Sequence, residues 1–140
     1  MNNPLQRLAR AAAPLLACCA IANPALAQDR PTSPPSPCTP GTCTIRVAVN
    51  DCRQPGGITV DKPYVSADSA VNMRWEIVTE GFVFATDGIR FEPPNPQFEP
   101  RQSPRPNEFR IHNRKSQSGD FYYHVNVQGC LPMDPWIQNH

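Results

Sequence analysis

After its first 27 residues this chain has no apolar run of the ~20 residues that a membrane-spanning helix requires. It has almost no net charge, with 13 Lys and Arg against 12 Asp and Glu, so no global field argues for nucleic acid. No stretch past the N-terminus shows a helical period, and there is no internal repeat. There is no Cys-x2-Cys pair and no Gly-x-Ser-x-Gly turn. Those two absences remove common signatures of zinc sites, thiol redox chemistry and a nucleophile elbow. Asp87, Glu92 and Glu99 lie in or near loops without forming a recognisable pair. Ser66, Ser69, Ser103, Ser116 and Ser118 have no identifiable base. The chain reads as non-catalytic and without a cofactor.

What is present begins with an export signal. Arg7 and Arg10 precede an apolar stretch interrupted by Pro14, and Ala25-Leu26-Ala27 offers the small-x-small pattern of signal peptidase. Cleavage after Ala27 is expected. Lipidation at Cys18 is the alternative, disfavoured because the apolar segment continues beyond that residue. Cleavage would remove Arg7, Arg10, Cys18 and Cys19 and leave residues 28–140, one domain with four cysteines. The expected compartment is periplasmic or extracellular, where an even number of cysteines implies disulfides. Cys38-Thr39-Pro40-Gly41-Thr42-Cys43 has Pro-Gly at a turn centre and suits a local Cys38–Cys43 bridge, leaving Cys52–Cys130. Cys43 shares the inward phase of Ile45, however, so Cys43–Cys130 with Cys38–Cys52 stays open.

Residues 28–41 are Pro-rich and read as a linker. From Thr42 onward the period is two. Cys43, Ile45, Val47 and Val49 alternate with Thr44, Arg46, Ala48 and Asn50; Val71, Met73, Trp75 and Ile77 alternate with Asn72, Arg74, Glu76 and Val78. Ile58 and Val60, Phe109 and Ile111, and Phe121, Tyr123, Val125 and Val127 follow the same rule. Phe82-Val83-Phe84 and Ile89-Arg90-Phe91 flank an Asp87-Gly88 turn signal. Half-buried strands in this pattern predict an all-β, antiparallel Greek-key sandwich over residues 42–140, braced by disulfides. Trp75 is expected in its core, and Trp136 is expected to pack as an anchor. Residues 92–106 hold six prolines and read as a long loop crossing between sheets.

The pattern Cys52-x5-Ile58-Thr59-Val60, Val71-x-Met73-x-Trp75-x-Ile77 and Gly81-Phe82-x-Phe84-x3-Gly88-Ile89-x-Phe91 resembles small exported cupredoxin-like domains. So does the end, Phe121-Tyr122-Tyr123-x-Val125-x-Val127, then Cys130 and Asp134-Pro135-Trp136-Ile137-x-Asn139. The resemblance implies a cupredoxin-like or immunoglobulin-like fold but transfers no function. Copper-binding members carry Cys, His and Met grouped around the last two strands. Here the Phe121-Tyr122-Tyr123 strand contains no Cys, and Leu131, Pro132 and Met133 follow Cys130 where a histidine is needed. A looser zinc or copper site would use His112 and His124, with Asp120 as a third ligand, if their strands were neighbours.

The region 101–115 is locally basic, with Arg101, Arg105, Arg110, Arg114 and Lys115 against Glu108. The expected function is a non-catalytic binding or accessory domain of the cell envelope. Its contact surface would be the Pro-rich segment 92–106 and the basic strand 108–115. Its expected partner is an envelope protein or an anionic envelope surface, met through Arg101, Arg105 and Arg110. The alternative is periplasmic copper or zinc handling through the surface histidines.

Overall fold

A period of two becomes a strand because it puts one edge of the chain in a core and the other in water. A computed structural model describes residues 29–140; the expected export segment, Cys18 included, lies outside them. The strands are β1 (Ser36–Pro37), β2 (Thr42–Val49), β3 (Ile58–Val60), β4 (Tyr64–Ala67), β5 (Val71–Ile77), β6 (Phe84–Phe91), β7 (Phe98–Arg101), β8 (Glu108–Asn113), β9 (Gly119–Val127) and β10 (Trp136–Asn139). They form two sheets, ordered β1-β4-β10-β9-β6 and β3-β2-β5-β8-β7, with no helix among the described residues. The inward residues named from alternation on β2, β5 and β9 fill one shared core, along with Ile89, Phe91, Phe98, Ile111 and Ile137. At its centre Trp75 is fully buried, and its Nε1–H donates to the Tyr123 hydroxyl of the opposite sheet at 3.1 Å.

The sheets are mixed rather than antiparallel. β2 runs parallel to β5, and β4 runs parallel to both β1 and β10. Alternation reports which side of a strand is apolar but not the direction of its neighbour. A parallel pair needs a long crossover. Here β3 and β4 lie between β2 and β5 in sequence and carry the chain from one sheet to the other and back.

Three further expectations change. Asp87-Gly88 makes no hairpin. Residues 84–91 form one strand against β9, with a register shift between Phe84 and Ile89. A Cβ on Gly88 would lie 2.7 Å from Phe109 Cδ2, so glycine lets the two sheets close over this bulge. The segment 92–106 is not all loop, because β7 pairs with β8 in register. Its Pro100 is tolerated because β7 is an edge strand, where a missing N–H costs no ladder bond. Trp136, expected only to pack as an anchor, also opens a strand. β10 lies between β9 and β4, bonded to both.

The described part of the Pro-rich segment, residues 29–41, is partly docked. Ser36–Pro37 extends the first sheet, the Cys38 N–H donates to the Ser66 carbonyl at 2.8 Å, and Arg30 Nη1 meets Asp120 Oδ2 at 2.7 Å. Extended Pro-rich backbone suits such an edge. A buried amide cluster closes one end of the sandwich. Asn113 Nδ2 of β8 donates to Asn139 Oδ1 of β10 at 2.8 Å, and Asn139 Nδ2 donates to Gln97 Oε1 at 3.0 Å.

The cysteines pair as Cys38–Cys43 and Cys52–Cys130, which excludes the rival pairing. The second bridge spans 78 residues and ties the turn after β2 to the end of β9. Loop-closure entropy assigns it roughly 4 kcal/mol and the local bridge about 2 kcal/mol. Urea unfolding should therefore show a larger loss for Cys52→Ser/Cys130→Ser than for Cys38→Ser/Cys43→Ser; equal losses would contradict the assignment. Tyr123→Phe leaves the Trp75 indole N–H buried and unpaired and should cost about 1–3 kcal/mol by the same measurement.

Candidate functional site

The outer face of the second sheet follows from the inward phase of its core residues. Because Met73 and Trp75 point into the core, Asn72, Arg74 and Glu76 point out. Register aligns this face into rows across the strands. One row is Thr42, Asn72, His112 and Glu99; the next is Thr44, Arg74, Arg110 and Arg101; the third is Arg46, Glu76 and Glu108. The middle row sets three arginines side by side on β5, β8 and β7. Neighbouring strands are about 4.8 Å apart. Like charges directly opposite one another destabilise a ladder unless something neutralises them.

Most of that charge is balanced by glutamates of the flanking rows. Arg101 Nη2 bonds Glu99 Oε2 at 2.8 Å, and Arg114 also pairs with Glu99. Arg105 Nη2 donates to Glu108 Oε2 at 3.0 Å and lies 3.7 Å from Glu76 Oε1, while Arg110 Nε donates to Glu108 Oε1. The Glu108 side chain is fully covered although it belongs to the outer face. Burial pushes its carboxyl pKa upward. The hydrogen bonds and charges of Arg105 and Arg110 outweigh that, so it lies below the usual glutamate value. Arg101, Arg105 and Arg110, expected as a free basic patch, are thus each engaged by a carboxylate. Glu76 reaches Arg105 only through strand register, whereas Glu99 and Glu108 stand two residues from Arg101 and Arg110 on the same strands, a local pairing that a count of charges passes over.

Arg74 is the exception. Its Nε is buried with no hydrogen-bond partner, and its guanidinium makes no ion pair among the described residues. It borders a groove of about 470 Å³ together with Arg101, Arg110, Asn72, His112 and Gln102. Alternation had placed Arg74 outward. Its alignment with Arg110 and Arg101 is a property of pairing that no local pattern carries.

The two histidines do not meet. His112 is on β8 of the second sheet, and its Nδ1 bonds Asn72 Oδ1 at 2.8 Å. His124 is on β9 of the first sheet, its Nδ1 on Asp134 Oδ1 and its Nε2 3.0 Å from Glu92 Oε2. Both imidazoles lie on the outward phase of their strands, on opposite faces of the sandwich with the core between them, so they do not join on one ion. Asp120 is engaged elsewhere, accepting from Arg30 and from the Tyr64 hydroxyl at 3.0 Å. No metal-holding group of three or more His, Cys, Asp or Glu occurs among the described residues. Cys130 is committed to its disulfide. Trp136 lies against Tyr122 with ring centroids 5.6 Å apart on the outer side of the first sheet.

No protein-family model matches the chain, and no curated protein matches it.

Glu108 supplies a pH test. A carboxyl held below its ordinary pKa stabilises the fold fully above that ordinary value, and the contribution is lost as pH falls through the folded-state value. Glu108→Gln should cost about 2 kcal/mol at neutral pH, and the gap to wild type should narrow on acidification. A gap that is constant from neutral to acid pH in thermal unfolding would show that the charge on Glu108 contributes nothing.

Proposed function

We propose that the chain is an exported, non-catalytic binding domain of the cell envelope, of cupredoxin-like or immunoglobulin-like Greek-key type. It would hold an anionic envelope surface against the outer face of its second sheet. The contact surface would comprise β7, which lies within 92–106, and the basic strand region 108–115. The observation that carries this reading is the arginine row of β5, β8 and β7, set on paired strands rather than on loose loops. Five arginines in this region, Arg74, Arg101, Arg105, Arg110 and Arg114, together with Lys115, face three glutamates, Glu76, Glu99 and Glu108, which leaves a local excess of three positive charges. Fixed backbone lowers the entropy cost of capturing a ligand, and the excess charge steers it in. Copper or zinc handling by His112 and His124 loses its basis in their separation on different sheets.

The test is co-sedimentation of the oxidised domain with vesicles rich in anionic phospholipid. Arg101 and Arg105 are each 55% exposed, so Arg101→Ser/Arg105→Ser leaves Arg110 on the buried Glu108. At about 1 kcal/mol per cation near the surface, affinity should fall roughly thirtyfold, and added salt should weaken the wild type. Equal binding to zwitterionic vesicles would sink the reading.

A further inference from the structure

We propose that Arg74, with Arg110 and Arg101, forms a discrete site for a phosphomonoester group. The inference rests on the reading of this face as anion-binding and narrows it to one chemistry. Arg74 Nε is already withdrawn from water and has no acceptor, a state that an incoming oxygen would relieve. Guanidinium groups match the oxygens of phosphate with paired donors, and three of them stand in one cross-strand row. No carboxylate lines the groove they border, so an anion there meets only cationic and neutral groups. Asn72, His112 and Gln102 add polar groups suited to hydroxyls on the molecule that carries the phosphate.

Charge and size select the ligand further. Three guanidiniums and no carboxylate line the groove, so a phosphomonoester, with close to two negative charges at neutral pH, gains more there than a singly charged diester. A groove of about 470 Å³ accepts a phosphorylated sugar or a single headgroup, not an extended polyanion. Flexible surface lysines would bind charge without shape. Here the donors stand on β5 and β8, interior strands of a paired sheet, and on β7 held against β8.

The experiment follows the Arg74 Nε–H resonance of the oxidised domain by NMR during titration with inorganic phosphate and with a hexose phosphate. A parallel arm uses vesicles containing phosphatidic acid, to separate a soluble source from a lipid one. A saturable shift of Arg74 is expected. Arg74→Gln should weaken phosphate binding about tenfold, whereas Arg46→Gln, an equal charge change on the same face outside the groove, should change it less than about twofold. Arg74→Lys, which keeps the charge and loses the fork, should behave like Arg74→Gln. Equal weakening by Arg46→Gln, or an Arg74 resonance that never moves, would overturn the proposal. If vesicle binding persists while Arg74 stays silent, the site is wrong and the face reading survives; loss of binding in every arm removes both. Because the shift is read on the unaltered chain, a poorly folding variant does not obscure the result.

Discussion

The hydrogen bond from Trp75 to Tyr123 sets the frame for everything else. An indole is large enough to fill the middle of the core, yet its N–H must find an acceptor there. Here both demands are met by bringing β5 and β9, from opposite sheets, to one fixed height. The rings meet edge to face at 5.4 Å, and Tyr123 also touches Phe91 at 5.5 Å, so the contact anchors β6 as well. Burial raises the Tyr123 hydroxyl far above its usual pKa, so no phenolate charge enters the core. Once Trp75 is locked inward, Arg74 and Glu76 have no choice of side. The charged face is a consequence of the core rather than an independent feature.

On that face electrostatics follow the ladder. Each strand places a charge at every second residue, and pairing turns those into rows. A row of arginines would push the strands apart if the neighbouring rows did not carry Glu99 and Glu108. Glu108 is the tightest of these compensations, since two arginines close over it and hide it from solvent. The same ladder leaves Arg74 at the centre with its neighbours' carboxylates already taken. On the adjacent strand the same row continues with the neutral Thr44.

Local physics made part of this legible in advance. Alternation identified the inner residues of β2, β5 and β9, because burial on one side is a period-two property that a short window records. The turn chemistry of Pro40-Gly41 pointed to the local disulfide, but the inward phase of Cys43 favoured a rival pairing, and only the folded chain joins Cys52 to Cys130. What stayed hidden depends on partners distant in sequence. β4 is buried along its whole length and shows no alternation, so Tyr64-Val65-Ser66-Ala67 carried no strand signal. β7 was masked by prolines that only an edge position permits. Glu92 and Asp134 approach His124 from loops on either side of it in the chain, which turned an apparently wet histidine into a bridged one. Arg74 was placed on the right face, but its row could not be assembled without register.

All four borders of the sheets are unsuited to extension. β1 is two residues long and contains Pro37; β3 is three residues long and runs into Lys62-Pro63. β6 shifts register between Phe84 and Ile89, and β7 carries Pro100 between charged Glu99 and Arg101. A neighbouring chain therefore finds no continuous row of free amides and carbonyls to zip onto. A molecule so finished can be crowded at high local concentration with little edge-to-edge pairing, which leaves recognition to its faces rather than its rims.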